Sequence, residues 1–533
     1  MLKKYALISL TDKSNLEYLV SNLIANDFSL IATTSTAQAI KDFGYECQLV
    51  EEITEFPEIL NGRVKTLQPQ IHGGILADLN NDHHLDDLKK HDINPISLVV
   101  CNLYPFEQVL VNEQKRHQAV VATNNTMEIM ESQAMMDNNI IENIDIGGVT
   151  LIRAAAKNYK HVTLLCHPED YQEYIKRLEA ETTDSEYRKQ LALKGFIHTA
   201  NYDAIIANYF MMANQEDESA QLLISAPLKQ KLRYGENPHQ KAFYYENTMA
   251  SSYSMNTSTI IQGKELSYNN LLDVDAGYNA IYEFDKPTAI ALKHNTPCGI
   301  GFASNIYDAY LNCYNVDSTS IFGGIVIFNR TVDLKLAQKL NEIFLEIIIA
   351  PDFSKEALQE FTKKKNLRVI KGNYDKAKYN NVQLRSINGG YLMQEASQFE
   401  LALEVVTTKD VVAEDKTALV NLYQSVKNVK SNAIIIGQGN EVLGISGGMV
   451  SRISACEFAI QKALEHPSYQ KDKPLLLASD GFFPFNDIID LALKYNIKYI
   501  IQPGGSINDE KLINACNEND MAMIFTKVRY FKH

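Results

Sequence analysis

Residues 5–33 read YALISLTDKSNLEYLVSNLIANDFSLIAT, and this stretch decides the fold class. YALISL (5–10) and FSLIAT (28–33) are short apolar runs typical of buried strands. Between them, the apolar residues of 15–26 recur at helical spacing, so a helix is predicted there. Strand, helix and strand in succession are typical of an α/β fold with a mostly parallel sheet.

The same alternation continues along the first 170 residues, with a predicted helix at 36–43 and strands at 97–104 and 161–166. Polar turns follow three of the predicted strands: TDKS (11–14), TTST (33–36) and NLYP (102–105). Because ligands bind beyond the carboxyl ends of the strands in such sheets, these turns are expected to share one face and to build a site.

Composition excludes several classes of protein. The chain has 533 residues, 45% of them apolar, which indicates more than one folded domain. Its net charge of −14 argues against a nucleic-acid-binding protein. The seven cysteines form no C-x-x-C pair, which fits a reducing cytoplasm. The sequence shows no apolar run of about 18 residues, so no membrane association is expected, and the N-terminus reads as a strand and not as a signal peptide.

Two polar stretches interrupt the pattern. Residues 112–140 are rich in Asn, Gln and Met and are predicted to be a partly helical surface insertion. Residues 213–231 form an acidic, proline-containing connection, so domains are predicted at 1–212 and 213–533. Within the second, TAIALKHNTPCG (288–299) and NAIIIGQGNEVLGISGG (432–448) have related character, which hints at two similar lobes.

Cations cluster in the first domain. In an extended segment Arg63 and Lys65 share one face. Arg153 and Lys157 lie four apart on a predicted helix that follows a double glycine, a setting that suits a bound anion. An anion, or Asp145, would relieve their repulsion. The alternative is that these cations are surface charges paired with nearby glutamates.

In the second domain, LKHNTPCG (292–299) sets Lys293 beside His294 at a predicted strand end, followed by a polar turn at 295–299. An ammonium and an imidazole at one site could move protons in opposite directions during a transfer reaction. The alternative is a core histidine beside a lysine that reaches to solvent.

Other motifs narrow the chemistry. The P-C of TPCG resembles half of a zinc-deaminase ligand pair, but Gly301 stands where the second cysteine is needed and no H-x-E precedes it, so no metal is predicted. The sequence contains no phosphate-loop or G-x-G-x-x-G signature for a nucleoside triphosphate or NAD. FFPF (482–485) beside Asp487 could form a slot for a heteroaromatic ring, or could be ordinary core packing.

Together these motifs resemble a known family, the bifunctional enzymes that join aminoimidazole carboxamide ribonucleotide (AICAR) formyltransferase to inosine monophosphate (IMP) cyclohydrolase. The matching stretches, in order, are SLTDKS, NGRVKTL, HGGIL, CNLYPF, IDIGGVTLIRAAAKN, LRYGENPHQ, LKHNTPCG, FGGI, IIAP, VKSN, SR, FFPF, PGGS and RYFKH. The resemblance implies a methylglyoxal-synthase-like N-terminal domain, then two cytidine-deaminase-like lobes without zinc. It also implies a cytoplasmic homodimer with shared formyltransferase sites.

The implied reactions are formyl transfer from 10-formyltetrahydrofolate to the 5-amine of AICAR, then ring closure of formyl-AICAR to IMP with loss of water. No metal is implied. For formyl transfer, the resemblance assigns His294 as base, Lys293 as proton donor to the leaving folate nitrogen, and Asn432 as the amide that steadies the developing oxyanion. For cyclisation it assigns Lys65, Tyr104, Asp145 and Lys157. The implied substrate-binding residues are Lys13, Ser14, Arg63, Thr66, Arg233, Tyr234, Phe322, Gly323, Glu346, Arg452, Phe482, Asp487 and Arg529.

The sequence departs from the family pattern in its first domain. Thr33–Thr36 replaces a turn that usually holds two glycines, and Gln68 replaces a histidine. The 112–140 insertion is also longer than the family leads one to expect. A formyltransferase whose first domain only senses nucleotides therefore stays open as a rival hypothesis. A second rival, from a different class, is a purine-binding regulator without catalysis, and the intact Lys293, His294 and Asn432 argue against it.

Overall fold

The computed structural model describes residues 3–121, 126–213, 221–247, 253–375, 382–397 and 400–533. Residues 122–125 of the predicted insertion and 214–220 of the predicted connection lie outside the described residues. The chain divides into two compact units, 1–225 and 226–533, whereas the predicted boundary follows residue 212. Within the described part of the chain, no helix combines the length and apolarity needed to span a membrane.

The first unit is built on one sheet of five parallel strands in the order β3-β2-β1-β4-β5. Its strands are β1 (Lys4–Ser9), β2 (Phe28–Ala32), β3 (Gln48–Leu49), β4 (Ile96–Cys101) and β5 (Thr163–Leu165). Its helices are α1 (Leu16–Ala25), α2 (Thr34–Asp42), α3 (Val50–Thr54), α4 (Pro69–Leu76), α5 (Asp82–Lys90), α6 (Phe106–Val121), α7 (Thr126–Glu142), α8 (Gly147–Lys157), α9 (Tyr171–Glu179) and α10 (Ser185–Ala213). The parallel α/β prediction is confirmed.

The three polar turns do share one edge of this sheet, as predicted, because β2, β1 and β4 are parallel neighbours. The strand order reverses direction between β1 and β4, and in such sheets the ligand crevice opens at that point. Alternate residues of the strands face two apolar clusters, one on each face of the sheet. The predicted insertion is largely helical: it spans the end of α6 and most of α7, and Met136 and Ile140 of α7 are buried.

Among the described residues, the second unit contains two six-stranded sheets and two separate two-stranded antiparallel sheets. Its strands are β6 (Leu228–Leu232), β7 (Ala242–Tyr245), β8 (Thr259–Gln262), β9 (Thr288–Lys293), β10 (Thr296–Phe302), β11 (Ile325–Phe328), β12 (Ile347–Ala350), β13 (Arg368–Lys371), β14 (Val382–Ile387), β15 (Gly390–Glu395), β16 (Glu404–Val405), β17 (Ile434–Gln438), β18 (Glu441–Ser446), β19 (Leu475–Ser479), β20 (Ile497–Gln502) and β21 (Ala522–Phe525). Its helices are α11 (Tyr268–Ile281), α12 (Ile306–Val316), α13 (Leu334–Leu340), α14 (Lys355–Phe361), α15 (Ala413–Val426), α16 (Arg452–Leu464), α17 (Asp487–Lys494) and α18 (Asp509–Glu518).

The two sheets are copies of one topology. The first, in lobe one (residues 253–375), runs β10-β9-β11-β12-β13-β8, and the second, in lobe two (residues 400–533), runs β18-β17-β19-β20-β21-β16. Corresponding strand pairs have the same parallel or antiparallel sense. One large apolar cluster joins residues of both lobes, and a further cluster lies within each lobe. The prediction of two similar lobes is confirmed.

The likeness reaches single residues. Ala291 pairs with Gly299 in lobe one, and Ile436 pairs with Gly444 in lobe two, each beside a one-residue bulge. A side chain at either glycine would meet a helix carbonyl, at 2.2 Å for Gly299 and 2.1 Å for Gly444. The predicted polar turn at 295–299 was wrong in length, because β10 begins at Thr296 and leaves a turn of only two residues.

Candidate active sites

A buried asparagine organises the sheet edge of the first unit. The side chain of Asn102, which follows β4, accepts hydrogen bonds from Thr11 N at 2.8 Å and Asp12 N at 3.3 Å, and it donates to Asp12 O at 2.9 Å. It thereby fixes the turn that carries Lys13 and Ser14. The Ser14 hydroxyl donates to the carboxylate of Asp12 at 2.6 Å, and this bond lowers the pKa of Asp12.

Asp145 lies two residues before the first residue of α8. Its carboxylate accepts hydrogen bonds from the backbone of Gly148, at 2.7 Å, and of Tyr104. Burial raises the pKa of Asp145, while these two bonds and the charge of Lys65 oppose that rise. Thr66 is close by, because a Cβ on Gly147 would lie 3.2 Å from its hydroxyl oxygen. The structure thus gathers Lys65, Thr66, Tyr104 and Asp145.

Arg63 and Lys65 do not form the predicted cation pair: each faces its own carboxylate. Arg63 is paired with Glu142 at the end of α7. The ammonium of Lys65 lies 3.2 Å from Glu58, and the Glu58 carboxylate also accepts a bond from the Thr34 hydroxyl at 3.1 Å. Glutamate pairing, the alternative interpretation, therefore describes both cations. Thr34 is the first residue of α2, so Glu58 binds a hydroxyl of the TTST turn.

Lys157 does not join this group. It lies ten residues beyond Gly147 on α8, which is about 15 Å along the helix. There it lines a cavity of about 730 Å³ together with Arg153 and Gln68. Asp145 therefore does not relieve the repulsion of Arg153 and Lys157; the Arg153 guanidinium lies 5.7 Å from the centre of the Phe196 ring instead.

Lys293 and His294 lie at the hairpin between β9 and β10. Lys293 ends β9, and its ammonium donates to the carbonyl oxygen of Phe322 at 2.9 Å. His294 and Asn295 form the turn with φ values of 55° and 62°. Positive φ at both central residues is the geometry of a type I′ turn, in which a histidine is unusual. His294 is exposed, so the core-histidine alternative is wrong.

Phe322, Gly323 and Glu346 line the edge next to Lys293. Gly323 N donates to the carbonyl of Phe344 at 2.8 Å, and Glu346 N donates to the carbonyl of Gly324 at 2.9 Å. The Phe322 ring is 58% exposed, so an apolar surface adjoins the lysine. The Glu346 carboxylate forms an ion pair with Arg368 at 2.7 Å.

In lobe two, Asn432 precedes β17 in a network of side chains. Its amide nitrogen donates to Met449 O at 3.0 Å, and its amide oxygen accepts from Arg452 at 2.9 Å. Arg452 in turn pairs with Asp480, whose side chain is fully buried, and Asp480 also accepts from Ser431. The guanidinium thereby neutralises a buried carboxylate and orients the amide of Asn432.

The C-terminal segment adds cations and a ring to this network. Arg529 lies 4.8 Å from the ring centre of Phe531, and Arg452 lies 6.0 Å from it. The backbone of Lys532 bonds to Ser431 in both directions, at 2.8 and 3.1 Å. Arg529 is exposed and thus available to an anion.

The remaining predicted residues lie on two further loops. After β6, the exposed guanidinium of Arg233 donates to the hydroxyl of Tyr234 at 3.1 Å. In FFPF, Phe482 is 36% exposed, whereas Phe483 is fully buried. Asp487 is exposed at the first residue of α17. The slot and core-packing interpretations of FFPF thus each fit one of these rings.

Sequence reasoning did not single out Asn102, Asp273, Asp480 or Phe531. Asn102 and Phe531 lie inside stretches quoted in the sequence analysis, so position within CNLYPF and RYFKH was a usable signal, and Asp480 lies two residues before FFPF. Asp273 carried none, because one aspartate on a helix usually indicates a solvated face. Within the described residues, no three His, Cys, Asp or Glu side chains are grouped to hold a metal ion.

Comparison with known proteins assigns the family. The AICARFT/IMPCHase bienzyme pattern matches residues 155–462, more than half of the chain, and an MGS-like domain matches residues 15–124. Similar proteins include three named bifunctional purine biosynthesis protein PurH. That of Oceanobacillus iheyensis is 41% identical over 100% of both chains. Those of Thermoanaerobacter sp. and Listeria monocytogenes are 43% and 42% identical, each over 99% of this chain and 100% of its own. The chain therefore belongs to the AICARFT/IMPCHase bienzyme family.

Proposed function

We propose that the two activities of this family, AICAR formyl transfer and closure of formyl-AICAR to IMP, are divided between the two units. Formyl transfer belongs to the second unit, with His294, Lys293 and Asn432 in the roles that the resemblance assigns. Cyclisation belongs to the first unit. The observation that carries the proposal is the hairpin end, where a histidine occupies a left-handed turn position and is exposed beside a lysine. Costly backbone conformations of this kind cluster at functional sites.

In formyl transfer, the 5-amine of AICAR attacks the formyl carbon and its proton passes to the imidazole of His294. The bond from the formyl carbon to folate N10 breaks, and N10 takes a proton from the ammonium of Lys293. The carbonyl of Phe322 holds that ammonium at 2.9 Å, so its position is fixed before substrate arrives. The amide of Asn432, oriented by Arg452, steadies the oxyanion of the tetrahedral intermediate.

The formyl donor is a folate, which we assign as 10-formyltetrahydrofolate. A pterin ring needs a flat apolar surface, and the exposed ring of Phe322, 5.5 Å from the ring of Phe344, offers one beside Lys293. For AICAR, the cations Arg233 and Arg529 suit the phosphate. The seven cysteines are free, which fits an enzyme of the reducing cytoplasm.

We further propose that each formyltransferase site is shared between two copies of the chain. Arg452, which holds Asn432, begins α16, whereas Lys462, ten residues on, pairs with Asp317 of lobe one at 3.1 Å. Asp317 and Lys293 both act on the pKa of the Cys298 thiol, so Lys293 belongs to the neighbourhood of Asp317. About 15 Å of helix α16 thus separates Arg452, which holds Asn432, from Lys462, which lies on the side of Lys293. A second copy would bring an Asn432 to the first copy's Lys293 and His294.

Mixing two inactive variants tests the shared site. His294→Gly and Asn432→Ala proteins are unfolded together, refolded and assayed for formyl transfer. With sites shared across a two-fold axis, half of the dimers are mixed and each holds one intact site, so about a quarter of wild-type activity returns. Sites contained within one chain would give no recovery.

In the first unit, cyclisation is intramolecular, so holding the formyl group near the carboxamide supplies much of the rate. Asp145, Tyr104 and Lys65 then move protons and stabilise the oxyanion. Lys13, Ser14, Arg63 and Thr66 are the proposed nucleotide contacts around them. Lys157 lies apart, so its assignment to this set rests on the resemblance alone.

The rival hypothesis of a formyltransferase with a nucleotide-sensing first unit draws on Glu58. The Glu58 carboxylate pairs with the ammonium of Lys65 and accepts a hydrogen bond from the Thr34 hydroxyl, and a bound phosphate would use the same two groups. Purified protein given formyl-AICAR alone and followed for IMP absorbance decides between the two: turnover supports cyclisation, and binding without turnover supports the sensor.

A further inference from the structure

We propose that Asp273 is a positioning residue for formyl transfer, and that its carboxylate holds the two-residue turn that presents His294. The inference rests on the proposed role of His294. Asp273 lies in the second turn of α11, 21 residues before the histidine, and none of the family-like stretches quoted in the sequence analysis contains it.

The direct contact is with the backbone of the turn. The Asn295 N–H donates to Oδ1 of Asp273 at 2.7 Å. The Asp273 carboxylate is half-buried, and burial raises its pKa, while the Asn295 bond and the nearby His294 lower it. The Cys298 thiol on β10 also lies within the electrostatic reach of this carboxylate. A short, charge-assisted bond from a rigid helix thus anchors the second turn residue, and through it the first.

Lobe two supplies an internal control. Its hairpin between β17 and β18 also has a two-residue turn, and Gly439 takes the place of His294 with a φ of 54°. Helices α11 and α15 both have 14 residues, and both end seven residues before the matching strand position. The residue matching Asp273 is therefore Ala418, since 294 − 273 = 439 − 418 = 21.

The helix position behind the turn is thus an aspartate in lobe one, where the turn begins with a histidine, and an alanine in lobe two, where the turn begins with a glycine. Glycine adopts positive φ without steric cost and needs no anchor. A histidine there tends to relax toward negative φ, which would swing the imidazole away from its site. Because displacement of a catalytic group by about 1 Å can cost about 100-fold in rate, an anchor for this turn has a catalytic purpose.

Two substitutions separate the anchoring bond from the charge. Asp273→Ala removes both, while Asp273→Asn keeps an oxygen that accepts from Asn295. Formyl transfer is measured with AICAR and 10-formyltetrahydrofolate, and a cooperative urea transition of the same samples reports that the second unit is folded. Asp273→Ala is expected to lower kcat about 10- to 100-fold with the KM for AICAR unchanged within about twofold. Asp273→Asn is expected to restore kcat to within about threefold of wild type.

The matched control is Asp275→Ala, which removes a carboxylate of the same helix whose bond is to Asn279 on α11 itself. It is expected to leave kcat unchanged. Wild-type kcat in Asp273→Ala, or an Asp273→Asn protein as slow as Asp273→Ala, would overturn the anchor.

A second measurement keeps the anchor separate from the role of His294. Urea denaturation is compared for Asp273→Ala in the wild-type and His294→Gly backgrounds. The anchor predicts a larger drop of the midpoint in the wild-type background than beside glycine, where only the bond to Asn295 is lost. Equal losses in both would refute it. If His294→Gly formylates AICAR at the wild-type rate, the proposed function fails, while the coupling of the two denaturation midpoints still tests the anchor.

Discussion

The two lobes of the second unit place different chemistry on the same backbone. At the end of the first hairpin strand, lobe one has Lys293 and His294, and lobe two has Gln438 and Gly439. At the other end of the strand the contrast reverses. The residue before Ala433 in lobe two is Asn432, and its lobe-one counterpart is Pro287. Lobe one therefore carries its candidate catalytic side chains at the end of the strand and a proline before its start. Lobe two carries Asn432 before the start of the strand and a glycine after its end.

The supporting residues follow the same division. Asn329 N donates to Thr288 O, and Asp480 N donates to Ala433 O, so Asn329 and Asp480 correspond. The neutral amide of Asn329 is satisfied by backbone groups alone, including Thr288 N at 2.9 Å and Lys286 O at 2.7 Å. Asp480 instead carries a buried charge and needs Arg452. A buried carboxylate, Asp480, stands behind Asn432, and Asp273 stands behind His294, so in each lobe a carboxylate supports the strand end that carries the proposed catalytic side chains.

The largest expected effect, on the rate of formyl transfer, comes from replacing the first turn residue of lobe one by the glycine that lobe two has there. In His294→Gly the proposed base is lost, and formyl transfer should fall by about 10²- to 10⁴-fold. The free energy of unfolding should not fall, because a non-glycine residue in the left-handed conformation costs about 1–2 kcal/mol and glycine removes that cost. Steady-state kinetics and urea denaturation measure the two effects. A variant that loses stability and activity together would indicate that the turn histidine is structural.

The next effect removes the guanidinium from lobe two. Arg452→Met leaves Asp480 as an unpaired buried charge, so the free energy of unfolding should fall by about 3–5 kcal/mol. Lys527→Met, which removes an exposed pair with Glu404, is the matched control and should cost less than about 1 kcal/mol. Adding Asp480→Asn to Arg452→Met copies the neutral residue of lobe one and should recover most of the stability without restoring formyl transfer. If the double variant stays as unstable as the single one, packing and not charge explains the loss.

How far the sequence predicted these features depends on the range of the interactions. Strand alternation and the likeness of 288–299 to 432–448 are local patterns, and both correctly predicted the topology. The length of the His294 turn was missed because Pro297 and Gly299 resemble turn residues, whereas here they lie at a bulge of β10. The bond of Asp273 to Asn295 and the pairing of Arg452 with Asp480 join residues more than 20 positions apart. No local periodicity predicts such contacts.

A smaller effect tests whether the two lobes are packed alike. Gly299→Ala would press on the carbonyl of Cys313, and Gly444→Ala on the carbonyl of Ala459, at nearly equal distances. Each change should cost about 1–3 kcal/mol of unfolding free energy, because backbone must shift to admit the methyl group. Denaturation of the two variants should give losses that agree within about 0.5 kcal/mol. A clear difference would show that the lobes share topology but not the tolerance of their helix–strand contacts.

The smallest effect extends the comparison to the first unit, where Asp145 is a half-buried carboxylate without a guanidinium. Burial raises the pKa of Asp145 above its ordinary value of 3.8, so the folded chain keeps this proton to higher pH than the unfolded chain does. Stability is then lost as pH rises from the unfolded value through the raised folded value. Asp145→Asn keeps an acceptor for Gly148 N but has no charge to bury. It should therefore slow cyclisation and yet raise the denaturation midpoint at pH 7, with the gain vanishing below the unfolded pKa. If the variant is less stable than wild type at pH 7, the attraction between Lys65 and Asp145 outweighs the cost of burial. Asp145 is then, like Asp480, a charge that a neighbouring cation stabilises.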